Sequence, residues 1–190
     1  MSRYDDTPVS PDDAVAFVEG VSFATKAEVD EAEDAALTAV LSNVLTALDE
    51  GALAVESLLA HGTLQDLHQT AFEGIWRWAG QVRRNEVSVG VAPEQIREQL
   101  RATHDDLRHL RATLAPRELA MTAHWRLVRV HPFTDGNGRI TRLYADAVLF
   151  GLTGAVFDWH AGPAYYQALR EADRTLSVGD LLTLTPDLFP

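Results

Sequence analysis

Twelve residues, His131-Pro132-Phe133-Thr134-Asp135-Gly136-Asn137-Gly138-Arg139-Ile140-Thr141-Arg142, fall between two stretches of helical apolar periodicity. They constrain the fold more than any other part of the chain. The incoming stretch, from Glu118 to Val130, must stop here, because the residue before a proline is disfavoured in the α region. Gly136 and Gly138 permit positive φ and let backbone amides approach a ligand. The next helix is predicted from Arg139 to Phe150, with Gly151 as its stop. A chain with this segment is therefore built around a helix–loop–helix junction whose loop is too short and too punctuated to be a spacer.

The rest of the sequence predicts more helix. Ser10-Pro11-Asp12-Asp13 has a capping serine, a proline suited to the first turn and acids at the positive end, so a short helix is expected over 10–20, closed by Gly20. Leu37, Val40, Leu41, Val44, Leu45 and Leu48 form an i, i+3, i+4, i+7 stripe ending near Gly51, and residues 64–78 repeat the pattern. Between 81 and 93 the period changes to two, with Val87, Val89 and Val91 around Gly90, which reads as a short β-hairpin or an extended flap. Helix resumes over 93–114, and again near Tyr165 to Arg174. The expected fold class is mainly α, one domain over 1–190, with neither internal repeat nor low-complexity linker.

Composition narrows the function. A hydrophobic fraction of 46% with 23% charged residues is that of a globular protein, and no apolar run nears the ~18 residues that span a bilayer. The first six residues lack the basic and apolar regions of a signal peptide, and the chain has no cysteine, so a cytoplasmic setting is expected. A formal net charge of −12 repels phosphate backbones, which argues against nucleic acid as a partner.

Against this acidic background the loop is locally basic. The free N–H groups and positive end of the outgoing helix form an anion site. Arg139 and Arg142, three apart, can reach one face and grip phosphate oxygens. Asp135 is placed to hold a magnesium ion bridging two phosphates, and His131 can accept a proton near neutral pH. Base, metal ligand, anion nest and two arginines together fit phosphoryl or nucleotidyl transfer.

The segment resembles the signature of the Fic family, His-Pro-Phe-x-Asp/Glu-Gly-Asn-Gly-Arg-x-x-Arg, with every defined position present. The likeness extends over roughly residues 15 to 175. Phe72 to Arg83 is similar to the helix-and-flap entry of the subgroup labelled mobile mystery protein B. The resemblance implies a protein adenylyltransferase that moves AMP from ATP to a Ser, Thr or Tyr hydroxyl, in some members as the toxin of a toxin–antitoxin pair. It implies His131 as the base, Phe133 as the loop's anchor, and Asp135 as the magnesium ligand. Gly136, Asn137 and Gly138 would form the anion hole, with Asn137 also orienting the α-phosphate, and Arg139 and Arg142 would bind the outer phosphates. The flap at Val87, Ser88 and Val89 would dock the target as an added strand. The Doc branch, which phosphorylates its target, has a lysine where this chain has Gly138, so Gly138 favours AMP transfer. AMP removal, and a non-catalytic module with the same fold, are the alternatives.

In this family a glutamate of a Ser/Thr-x-x-x-Glu-Gly/Asn helix often silences the enzyme by pairing with a motif arginine. Thr46 to Glu50-Gly51 matches the letters but lies on the polar side of its stripe, whereas Glu19-Gly20 has the family's order with Val15 at the hydroxyl position. Glu19 is the preferred inhibitor, with a separate antitoxin protein as the other possibility. Tyr165 and Tyr166 read first as core and second as walls of an adenine pocket, and the remaining histidines as surface or satisfied core. Trp76 and Trp78 read as packing residues under the flap, and the acidic run from Glu28 to Asp34 as a solvated helix start.

Overall fold

In a computed structural model of the protein, residues 7–189 are described; the start of the chain read above for a signal peptide lies outside them. A strap with one short helix, α1 (Pro11–Ala16), precedes the long α2 (Lys26–Asp49). Then come α3 (Val55–Leu58), α4 (Thr63–Phe72), a 3-10 turn (Pro93–Gln95), α5 (Ile96–Leu110), α6 (Pro116–Val130) and α7 (Asn137–Thr153). The chain ends with β1 (Val156–Phe157), α8 (Pro163–Thr175), α9 (Gly179–Leu184) and β2 (Asp187–Leu188). The fold is mainly helical, with a single small antiparallel sheet among the described residues, in which Val156 faces Leu188 and Phe157 faces Asp187. No helix among the described residues is long and apolar enough to cross a membrane.

The N-terminal caps follow the sequence, but α1 ends at Ala16, where Phe17 turns extended to bridge Trp76, and not at Gly20. Ser10 accepts from the Asp13 N–H, and Thr25 with Glu28 forms a full capping box at the head of α2. α7 lies at the centre. Ile140, Leu143, Tyr144, Ala145, Ala147, Val148 and Leu149 are buried on several sides of it, against α2, α3, α4 and α6. A helix apolar nearly all round belongs inside, and the site loop sits at its N-terminal end.

Two more expectations change, and one open pair of readings is decided. Gly151 does not stop α7: it lies within the helix, where a Cβ would meet Val55 Cγ2 at 2.5 Å, and Gly154 closes the helix instead. Gly151 is thus a contact point for α3. Helix α4 ends at Phe72, so Ile75, Trp76 and Trp78 lie in the turns after it. Of the two readings for 81–93, the extended flap is the one found; it forms no ladder of its own and is tied at its ends to the site loop. The strap is clipped to the body by an antiparallel bridge between Phe17 and Trp76, with Val18 N–H donating to the Ile75 carbonyl at 3.0 Å.

Candidate active site

Helix α6 ends where Pro132 demands, and the residue before it takes the left-handed region. His131 has φ 53° and ψ 61°. That conformation costs about 1 kcal/mol or more for a residue with a side chain, so its surroundings must hold it. Two do. Arg83, almost fully buried, donates from Nε to the His131 carbonyl at 2.8 Å, and from its two Nη atoms to the carbonyls of Asn85 (2.8 Å) and Val91 (2.5 Å). Gly90, at φ +99°, brings the far side of the flap against His131: a Cβ there would lie 2.5 Å from His131 Cβ. The Arg83 N–H also donates to the Pro132 carbonyl at 2.9 Å. Sequence reasoning gave Arg83 no role of its own: it closes the stretch likened to the subgroup's flap entry, and a cation beside Arg84 and Asn85 looks like surface. The half-buried His131 imidazole titrates below the usual histidine range, through burial first and the Arg83 charge second, with the Val128 carbonyl and Asp135 opposing. It is neutral at pH 7, the state a base requires.

Phe133 is fully buried and stacked on His68, ring centroids 3.7 Å apart. His68 Nδ1 accepts from the Gly80 N–H (2.9 Å), which leaves Nε2–H to face the Asp135 carbonyl at 3.2 Å. Burial drives its pKa down to about 4. Satisfied core was the expectation, but this residue also fixes the loop. Asn137 accepts from the Phe133 N–H and donates to the Phe133 carbonyl, both at 2.8 Å, so its amide closes the loop on itself. Its part here is to shape the loop, and the second N–H of the amide makes no hydrogen bond among the described residues. Gly136 has φ +75° and abuts the Phe72 ring, where a Cβ would be 2.8 Å away. Gly138 lies in the first turn of α7, and its missing side chain leaves room for Arg142 Nη1, 3.3 Å from where a Cβ would stand. Asp135 spends Oδ1 on the Gly136 N–H (2.6 Å), and its side chain is 67% exposed.

The two motif arginines diverge. Arg139 Nη1 pairs with Glu33 Oε2 at 2.6 Å, and its Nη2 stands 3.9 Å from Asp135 Oδ2. Glu33, on α2, is buried and also accepts from Trp76 Nε1 at 2.6 Å. The acidic run is therefore not a solvated face at this position: the α2 stripe turns Glu33 inward against α7. Arg142 pairs with no carboxylate among the described residues and lies beside Tyr165, His124 and Gly138. Glu19, the preferred inhibitor, is exposed in the turn after α1 and pairs with neither motif arginine, because burial of Phe17 under Trp76 turns the chain outward beyond it. Glu50 is exposed, as its polar face implied.

Tyr165 and Tyr166 split between the two readings. Tyr165 is core, bonded to His124, while Tyr166 is half exposed and lines a cavity of ≈ 380 Å³ with Val89, Gly90, His131, Arg170 and Asp173. Val87, Ser88 and Val89 stand exposed on the flap. A half-buried histidine, a helix N-terminus, an arginine that pairs with no carboxylate among the described residues and a largely apolar cavity thus meet at one loop.

The model of the Fic/DOC family matches residues 58–149. This chain carries a Fic/DOC family domain. Protein adenylyltransferase fic-1 of Caenorhabditis elegans is 38% identical over 110 residues, which are 54% of this chain and 21% of that one. Protein adenylyltransferase Fic of Nematostella vectensis is 36% identical over 102 residues, 50% of this chain and 24% of the relative. The chain thus spans about a fifth to a quarter of the length of the curated relatives it matches. In three dimensions it is similar to a Fic domain containing signaling protein from Bacteroides thetaiotaomicron, with TM-score 0.66, 23% identity, and coverage of 85% of this chain and 65% of that one. It is similar too to BepC of Bartonella tribocorum, solved with bound AMPPNP, with TM-score 0.64, 16% identity, and coverage of 92% and 97%. These structures share the helical Fic fold.

Proposed function

We propose that this chain transfers AMP from ATP to a hydroxyl of another protein. The observation that carries this reading is the loop itself. A neutral His131 is held in a strained backbone conformation, one residue from a proline, beside a helix N-terminus that Arg142 faces without an acidic partner. The target hydroxyl oxygen, from a Ser, Thr or Tyr, attacks the α-phosphorus, and its proton passes to the His131 imidazole. The bond from the α-phosphorus to the bridging oxygen breaks, and pyrophosphate leaves. The α7 amide end and Arg142 stabilise the charge that gathers on the phosphate oxygens. The cavity beside Tyr166 takes the base, its apolar walls offering a stacking surface.

The chemistry of Asp135 suits magnesium. Its exposed carboxylate has one oxygen on its own loop and the other 3.9 Å from Arg139 Nη2, and no cluster of three acidic or histidine ligands lies among the described residues. Asp135 would hold a hard cation there by one carboxylate, and the cation would supply positive charge against the phosphates. Exposed Val87, Ser88 and Val89 would pair a target segment along the extended flap. Dependence on ATP fits a cytoplasmic setting, and the relation to a separate antitoxin protein follows the family's toxin members. Incubation with ATP labelled in the α-phosphate, magnesium and a lysate tests the reading: label retained on protein supports it. Label appearing equally with His131→Ala, or only when the γ-phosphate is labelled, would overturn it.

A further inference from the structure

Glu33 and Arg139 are 106 positions apart in the chain, and the fold brings them into a buried ion pair at the edge of the site loop. The Glu33 side chain is only 3% exposed, and each of its oxygens has a partner: Oε1 accepts from Trp76 Nε1 and Oε2 from Arg139 Nη1, both at 2.6 Å. Trp76 is itself immobile by construction. It stacks on Trp78 at 4.9 Å, packs on Phe17 at 4.6 Å, and shares a backbone bridge with the strap. On its other sides the Arg139 guanidinium lies over the Phe72 ring, 5.8 Å from its centroid, and beside Asp135. A guanidinium has five donors, and Glu33 takes one of its edges, so donors remain for an anion at the loop.

From this geometry we infer that Glu33 is a positioning residue for Arg139, setting the guanidinium, through the Trp76 lock, in the orientation that receives the outer phosphates. The inference rests on the nucleotide-binding reading of the loop and deepens it. Two observations favour positioning over a switch in which phosphate displaces Glu33. A displaced Glu33 would keep only its Trp76 bond in a buried place, a costly state for a carboxylate. Moreover, burial raises the Glu33 carboxyl above its ordinary range, more than Arg139 and Trp76 can lower it. Its ionised form is thus a burden on folding at neutral pH, and what it does for Arg139 is the reason to carry that burden.

Glu33→Gln keeps the shape and the bond from Trp76 while removing the charge. Titration calorimetry on the whole chain should show ATP binding weakened about tenfold and AMP binding changed by less than about twofold, because only the contact to outer phosphates is loosened. In an Arg139→Ala background the same change should add nothing, since the two residues act as one unit. The melting temperature should stay within about 3 °C of the parent's. Equal losses for ATP and AMP, or additive losses in the double variant, would reduce Glu33 to a structural residue. Tighter ATP binding would make it an inhibitor and overturn the inference. A readout independent of nucleotide separates this from failure of the site reading. In nitrogen-15 spectra, the Arg139 Nη signals should be resolved by slow rotation in the parent and merge in Glu33→Gln. Merged signals in the parent would refute positioning even if ATP binds, and resolved signals without any ATP binding would leave Glu33 in its role while the nucleotide reading falls.

Discussion

The imidazole proposed as the base owes its properties to its neighbours. His131 is kept neutral by burial and by the Arg83 guanidinium on its own carbonyl, so its titration lies on the acid side of ordinary histidine. The rate of AMP transfer should therefore hold down to a pH below ~6.5 and fall only where the imidazole takes up a proton. Arg83→Gln removes a nearby cation, which raises the His131 pKa; the acid limb of the pH–rate profile should move to higher pH. An unmoved limb would mean that burial alone sets the titration. His131→Ala should lower labelling about a hundredfold or more while ATP affinity stays within about twofold, as radiolabel and calorimetry can establish side by side. Arg142, with no carboxylate to compete for it among the described residues, should matter to the triphosphate tail. Arg142→Ala is expected to cost ATP about tenfold in affinity and AMP far less. Equal losses would place Arg142 on the α-phosphate.

At the scale of elements, the junction of α6 and α7 was open to reading because each of its features is local. A proline ends one helix, a glycine turns the chain, and the next helix starts within five residues. The partners that complete the site were not, since nothing in the spacing of Glu28 to Asp34 says that α2 will turn one of its acids onto α7. Arg83 likewise gains meaning only when the flap folds over the loop. Short α3 and α9 carry too few turns to show a period, and the two-residue strands are fixed by their pairing alone. Gly151 teaches the same lesson, because a glycine after an apolar stripe reads as a stop, yet here it marks where α7 touches Val55 and Leu48. Gly151→Ala gains about 1 kcal/mol of helix propensity. It also drives a Cβ into the short, branched Val55, an overpacking cost of about 1–3 kcal/mol. The clash should win, with a melting temperature lower by about 2–4 °C in calorimetry. A rise would show that α3 yields freely.

The molecule as a whole should be most stable near neutrality. His68 and His104, held by burial at pKa about 4, and His124 at about 3, stay neutral when folded and take up protons at about 6.5 once unfolded. Their contribution is complete above that value and is lost as pH falls toward the folded values. Asp146 works the other way. Burial raises it to about 7, so folding is favoured as it gains a proton below that point. Three groups against one leave a net loss, on the order of 3 kcal/mol between pH 7 and pH 5. Urea unfolding at the two pH values measures it, and Asp146→Asn should deepen the loss. The flap has a further consequence for redirecting such a protein. Arg83 rivets one end and Gly90 is wedged against His131 at the other, while 84–88 lie open to solvent short of the cavity wall at Val89. Under the docking proposed for this strip, those five residues are an address label that can be rewritten as a cassette. Chemistry and addressing are then separable parts, divided at two residues that must be left alone.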